Sequence, residues 1–320
     1  MHPSSGKRFA AGAITVGLVA LTGLGWGLLG PASKLLFNAD PTVFDGVTVT
    51  IARATWALPF FLFSLVLAWQ FERPIFDPRT IATFVGIAVA FATYFVLFSI
   101  AAQHTSLAHL AFLSGLAPPV NSTLAALVLR ARLDATRRTA LVVGVLGVAL
   151  LALTRPSDGS SAIGDGLMVL WLLDFAVYAI LVRGVSTRYG MVFISALVGS
   201  LGTLVLTALG IALGAGRGIA HVTDTPAIGA AFFGEIVVLS ALVSPLTFNF
   251  AIRRAGVVVA TSGAEYIVVG VGIIASLAFF HEHWQPLLGL AGALLLASLV
   301  LTFLPVRVRP TGREGERSGA

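Results

Sequence analysis

The stretch AGVVVATSGAEYIVVGVGIIASLAFF, from Ala255 to Phe280, decides what kind of chain this is. With about 20 apolar residues and about 1.5 Å of rise each, it is long enough to cross a bilayer core as a helix. Yet Glu265 stands near its centre. On a helix, Thr261, Ser262, Gly272 and Ser276 fall close to the Glu265 face, spaced by three, four or multiples of a turn. One side of the segment is therefore small and polar, and the rest is Val, Ile, Leu and Ala. A carboxyl group at mid-membrane costs a few kcal/mol even on mild insertion scales, so it belongs against protein or water rather than lipid.

The rest of the composition agrees. Hydrophobic residues make up 57% of the chain and charged residues 11%, and the mean hydropathy is +0.96. A water-soluble domain carries about twice that share of charge. The reading is an all-α polytopic membrane protein. The net charge of +6 comes from basic residues scattered between apolar runs, which is no nucleic-acid surface. With no cysteine, disulfides, thiol catalysis and cysteine metal sites are excluded. Lys7 and Arg8 precede an apolar run from Phe9 to Gly30. That run is longer than a signal peptide's core and has no small-residue cleavage site after it, so it reads as a retained first helix.

Ten apolar segments separate at turn and charge signals: 10–30, 42–69, 80–101, 105–129, 139–154, 163–183, 191–213, 226–251, 255–280 and 285–304. Asp40-Pro41, Asp77-Pro78 and Asp224-Thr225-Pro226 each place a capping side chain ahead of a proline near a first helical turn. With the N-terminus in the cytoplasm, ten alternating helices put sixteen Lys and Arg residues inside and only Lys34, Arg155 and Arg217 outside. That asymmetry predicts both termini on the cytoplasmic side of a bacterial inner membrane. Arg53 is left within the second segment.

The halves resemble each other weakly. At a spacing of 149, Gly17-Leu18 maps to Gly166-Leu167, Trp26 to Phe175 and Lys34 to Arg183; at 148, Asp134 maps to Glu282, Gly144 to Gly292 and Leu153-Thr154 to Leu301-Thr302. Five helices per half is an odd number, so the second half lies upside down relative to the first. The expectation is two inverted five-helix repeats, 10–154 and 163–304, with a basic cytoplasmic tail over 305–320. Transporters built this way bind substrate at the repeat interface near the bilayer midplane.

With Trp26-Gly27 and Lys34 in the first segment, Arg53 in the second, Ser106 to Pro119 in the fourth, and His281-Glu282 followed by Gly292-Ala-Leu-Leu-Leu, the chain resembles the drug/metabolite transporter superfamily, in particular its EamA-type ten-helix carriers. The resemblance runs over about residues 10–305. It implies secondary transport of small metabolites, often export, through a cavity between the halves.

Three acids lie deep in the segments: Asp174, Glu235 and Glu265. Asp174 shares a helical face with Trp171 and Tyr178, a constellation suited to an organic cation; the plainer alternative is interhelical packing. Glu265, with Tyr266 beside it, is a protonatable group suited to proton coupling, or else an interhelical hydrogen bond. Glu235 is a cavity acid or half of a buried pair, and Asn249 falls on a similar face. Arg53 reads as the structural ion-pair partner of one of these acids, or as the seat of a substrate carboxylate. Ser114, Pro118 and Asn121 share a face of the fourth segment, and Pro118-Pro119 and Pro245 kink their helices. Trp26 and Tyr94 are candidate cavity walls.

His281-Glu282-His283 has no third ligand at metal-site spacing and reads as a loop or helix cap, so no metal is expected. Gly256, Gly263 and Gly270 read as a helix-packing stripe. No GxxxxGK[ST] loop and no nucleophile–base set is present, so neither a nucleotide cofactor nor an enzymatic activity is expected. The function that follows is a secondary transporter of a small metabolite such as an amino acid or amine, with protons as the coupling ion and a monomer or homodimer as the unit. A lipid flippase or a non-transporting membrane partner is the alternative.

Overall fold

A computed structural model describes residues 5–72, 74–128, 135–154, 161–214 and 226–303. Among these the chain is helical throughout, with no strand. In lipid, backbone amides and carbonyls must be satisfied within the segment, which leaves the helix as the structure for an apolar run of this length. The crossing helices are α1 Ser5–Ala39, α2 Gly46–Glu72, α3 Pro78–His104, α4 Leu107–Val128, α5 Ala135–Ala152, α6 Ala162–Val185, α7 Met191–Ala212, α8 Pro226–Ala255, α9 Val257–Ala278 and α10 Pro286–Phe303. Nine of them are long and apolar enough to cross a membrane, and α10, Pro286–Thr302 as an apolar stretch, is the shorter tenth. The protein is a multi-pass membrane protein.

Several boundaries differ from the sequence expectation. Helix α1 extends to Ala39 and carries Lys34 within its last turns rather than in a loop. Pro31 does not end it, because nothing downstream breaks the ladder before Asp40. Asp40 does not cap α2. Its carboxylate takes the Thr42 amide at 2.9 Å in a local turn, while Asp45 accepts the Thr48 amide at 2.6 Å one residue before α2 begins. Asp77 caps α3 as expected, accepting the Thr80 amide at 2.6 Å. Asp224, Asp134, Arg155, Arg217 and the tail over 305–320 lie outside the described residues.

Two helices are irregular. Helix α4 is broken into Leu107–Ser114 and Ala117–Val128. The break falls at Gly115-Leu116, one turn ahead of the expected kink. Pro118 and Pro119 have no N–H to give the carbonyls of Ser114 and Gly115, so the ladder opens before the prolines themselves. In α8, residues Ala230–Val243 wind as a π-helix and return to α geometry at Ser244, just before Pro245. The Ser244 amide bonds the Leu239 carbonyl, a five-residue step.

The glycine stripe is corrected as well. A Cβ on Gly263 would stand 2.6 Å from Val19 Cγ1, so α9 and α1 touch there, but Gly270 has nothing within 4 Å. Gly256 has φ +84° and makes the turn between α8 and α9. The tightest approach of α9 to α4 is at Gly272, where a Cβ would meet Ala111 Cβ at 2.5 Å.

Packing joins helices from the two sequence halves: α2 with α7, α3 with α6, α1 with α8 and α9, α4 with α6 and α9, and α5 with α10. Helices α5 and α10 stand at the margin, tied by Ser298 Oγ donating to the Ala140 carbonyl at 2.6 Å. One end of the bundle gathers the turns after α2, α6 and α8. There Tyr189 donates to the Ile75 carbonyl, the Gly190 amide to Glu72, and Arg183 to the Ile252 carbonyl. The other end gathers the turns after α1, α3 and α9, with the start of α6.

Candidate functional site: a cavity among six helices

A narrow cavity lies where α1, α2, α3, α4, α6 and α9 converge. Its polar groups are Arg53, Tyr94, Ser114, Trp171 and Glu265, and Trp26, Leu29, Phe95, Phe98, Phe175 and Val268 complete the wall. The room inside suits about two waters. A stacked aromatic ladder forms one side. Trp171 and Phe175 stack at 5.3 Å and 3°, Phe175 meets Phe248 at 5.3 Å, and Trp26 meets Phe175 edge-on at 5.4 Å.

Glu265 is 1% exposed, and its Oε2 has no hydrogen-bond partner. Ser114, at the broken end of the first half of α4, lines the same cavity and donates to the Ala111 carbonyl at 2.9 Å. The freed carbonyls of Ser114 and Gly115 belong to the same corner. Discontinuous helices with open backbone at mid-membrane are where transporters hold polar ligands. The Tyr94 hydroxyl and the Trp171 indole N–H are likewise buried without partners. Unsatisfied donors and acceptors that converge on one small space are costly to leave so, and a ligand that pairs with them recovers that cost.

Arg53 is 1% exposed and lines this cavity. Its guanidinium lies 3.6 Å from the Phe95 ring centroid. Its Nη2 donates to Ser240 Oγ at 2.8 Å, and its Nε is unpartnered. The ion pair expected for it is not formed. Among the described residues no Asp or Glu oxygen lies within 4.0 Å of the guanidinium. The aromatic face and the Ser240 hydroxyl take the place of an acid.

The other expected site residues divide. Trp26, Tyr94, Trp171 and Glu265 come together in the cavity. Asn121 is fully buried beside it and donates to Thr261 Oγ1 at 3.0 Å. Asn249 donates to Ser195 Oγ at 2.8 Å and accepts the Tyr178 hydroxyl at 3.2 Å, so both are spent on helix-to-helix bonds. Glu235 is buried but stands apart from the cavity wall. Asp174 is half-buried and outside the cavity wall. The inward face of α6 is Trp171, Phe175 and Tyr178, and Asp174 falls beside it near Tyr94; the cation cage expected around Asp174 is not assembled. Tyr266 is 37% exposed, since its neighbour Glu265 points inward and successive residues turn by about 100°.

The wall residues missed from sequence are Leu29, Phe95, Phe98, Phe175 and Val268. Four of the five stand one helical turn from an expected residue: Leu29 from Trp26, Phe98 from Tyr94, Phe175 from Trp171 and Val268 from Glu265. Extending each expected residue by three or four positions finds them.

The space continues from Trp26, Phe98, Ser114 and Val268 past Gly30, Pro31, Leu107 and Gly272. That route leads to the bundle end closed by Glu282. Its carboxylate accepts the amides of Leu107 at 2.8 Å and Ala108 at 3.1 Å, and the Ser276 hydroxyl at 2.7 Å. The His-Glu-His triplet thus supplies a helix cap across 175 residues. At the same end His109 bridges Asp165 at 3.0 Å and Thr154 at 3.0 Å, and Thr105 donates to Asp165 at 2.6 Å, tying α4 to α5 and α6.

Fold and cavity together define a multi-pass membrane protein with a small, aromatic-walled cavity that holds a buried acid and a buried guanidinium. Residues 13–153, which span α1 to α5, match the model of the EamA-like transporter family. This agrees with the motif resemblance to the drug/metabolite transporter superfamily, and a membrane transporter of that type is the class the match indicates. No curated protein matches the chain. A solved structure described as "Crystal structure of protein" is similar with a TM-score of 0.57 at 15% identity, covering 89% of this chain and 97% of that one. At that identity the likeness speaks for the fold alone.

Proposed function

We propose that the chain is a secondary carrier that moves a small amphoteric metabolite, of the amino-acid or amine class, outward across a bacterial inner membrane. The observation that carries this reading is the pairing of Glu265 and Arg53 in one aromatic-walled cavity. An acid suits the ligand's amine, a guanidinium with an unpartnered Nε suits its carboxylate, and Trp26, Trp171 and Phe175 suit an apolar side chain.

Alternating exposure follows from two inverted repeats, 10–154 and 163–304. The helix pairings support this division. Exchanging α1–α5 with α6–α10 turns the α3–α6 pair into α8–α1, α1–α9 into α6–α4, and α3–α7 into α8–α2. It leaves α2–α7, α4–α9 and α5–α10 as they are. A cavity with room for about two waters must widen to admit a metabolite, and the broken α4, the proline in α1 and the π segment of α8 are where the halves yield. Both termini in the cytoplasm follows from the distribution of basic residues.

The test is efflux from proteoliposomes loaded with a labelled panel of amino acids and primary amines. Flux of at least one compound well above protein-free liposomes, falling tenfold or more in Glu265→Gln and Arg53→Lys, is the expected result. Flux equal to protein-free liposomes across the panel rejects the carrier reading, and flux untouched by both substitutions rejects the site.

A further inference from the structure

We infer that Glu235 is a separate site for an exchangeable proton, and that Arg53 links it to the cavity. The physiological use of this link rests on the carrier reading above, but its chemistry does not. Glu235 lies on the π-helical part of α8 and is 8% exposed, and neither of its carboxyl oxygens has a hydrogen-bond partner. Ser240 follows it by five residues. In a π-helix, with roughly 4.4 residues per turn, a five-residue step brings the two side chains to within about 50° of each other around the axis; in an α-helix they would be about 140° apart. The irregular winding thus turns Glu235 and Ser240 toward the same neighbour. Ser240 identifies that neighbour as Arg53, at 2.8 Å.

Arg53 is also the charged group that acts on Glu235 from the helices around it, although the two are more than 4.0 Å apart. Helix α1, which also packs on this segment, has no charged residue between Gly12 and Ser33. An ionised Glu235 in the present arrangement is a buried charge with no ion pair and no hydrogen bond, among the most expensive arrangements in a protein interior. A bound proton removes that charge. When the proton leaves, the carboxylate has one compensating group within reach, the Arg53 guanidinium, whose Nε is free.

Arg53 also lines the cavity, where Glu235 does not. One guanidinium therefore serves two claimants, an ionised Glu235 and an anionic group in the cavity. A proton on Glu235 releases Arg53 to the cavity, and loss of the proton draws it away. Ligand carboxylate and proton then occupy the protein together. A carrier so built releases its ligand outward down the ligand's own gradient, with a proton accompanying it.

The test needs no ligand. Purified protein in lipid nanodiscs is titrated with alkali while two signals are followed: the infrared carbonyl band of protonated carboxylic acids, and tryptophan emission, which reports on Trp26 and Trp171 in the cavity. The wild-type chain should lose a carboxylic-acid band and change its emission over one shared pH interval. Glu235→Gln should remove one carboxylic acid from the band loss together with the emission change that accompanies it, and Glu72→Gln, at the bundle end away from the cavity, should leave both as in the wild type. Should Glu235→Gln fail to fold, Glu235→Asp should keep the band at an altered frequency.

A band unaffected by either Glu235 substitution overturns the site. A band that titrates with no matching emission change overturns the link through Arg53. Displacement of the band by sodium but not by choline at constant pH replaces the proton with a metal cation and overturns the assignment. The carrier reading stands or falls separately, on liposome flux.

Discussion

Arg53 Nη2 and Ser240 Oγ meet at 2.8 Å across 187 residues of chain. The bond joins α2 to the π segment of α8 and is the one hydrogen bond that holds the guanidinium among the described residues. Ser240→Ala should leave a buried charged donor unsatisfied, at a cost of about 1–3 kcal/mol. Thermal melting in detergent should show a clear drop, and an unchanged midpoint would mean that the Phe95 ring suffices to hold Arg53.

Glu282 satisfies two amides at the start of α4 and the Ser276 hydroxyl at once. Replacing a capping carboxylate of this kind costs about 0.5–2 kcal/mol per cap. Glu282→Ala should lower the melting midpoint and speed hydrogen exchange at Leu107 and Ala108 specifically. Protection that stays unchanged at those amides would count against the cap.

Gly272 and Gly270 make a paired test of helix approach. A methyl group on Gly272 meets Ala111 Cβ at 2.5 Å, and a Cβ cannot swing aside as a side-chain tip can. Gly272→Ala should separate α9 from α4 and reduce both yield and melting temperature. Gly270→Ala meets nothing within 4 Å and should be neutral, or stabilising by about 0.5–1 kcal/mol through lost chain entropy. Equal effects from the two would show that close packing is not what the glycine at 272 provides.

Tyr94 presents a buried hydroxyl without a partner to the cavity. Tyr94→Phe removes that unsatisfied group and should leave the fold as stable as before or slightly more so. Transport of the flux-positive compound should nevertheless fall by about threefold to thirtyfold if the hydroxyl pairs with the ligand, the equivalent of about 0.6–2 kcal/mol. Undiminished transport together with higher stability would assign Tyr94 to the wall alone.

How far the sequence foretold all this depends on which forces act locally. Hydropathy and length located every crossing helix, because the bilayer imposes the same demand on each. Asp77-Pro78 was readable as a cap because its partner, Thr80, is three residues away. Asp40-Pro41 had the same look, but Asp45 lies closer to where the helix begins, and nothing in the local pattern ranks the two. Glu265 could be placed on a polar face from spacing alone, whereas Arg53 could not be paired, since its contacts come from Phe95 and from Ser240, far along the chain. Asp174 is half-buried beside the wall rather than in it, with one carboxyl oxygen buried and unpartnered, and periodicity alone does not separate those two positions. The π winding of α8 left no mark in the sequence beyond Pro245.

The bond from Glu282 to the start of α4 also sets an order of events during synthesis. When the fourth segment leaves the ribosome and enters lipid, the acceptor for its Leu107 and Ala108 amides has yet to be translated, 175 and 174 residues downstream. Until the turn before the last helix arrives, those amides have no carboxylate to meet. A nascent chain halted short of that turn would therefore be unfinished near its middle as well as at its end, and membrane proteases would find the fault there.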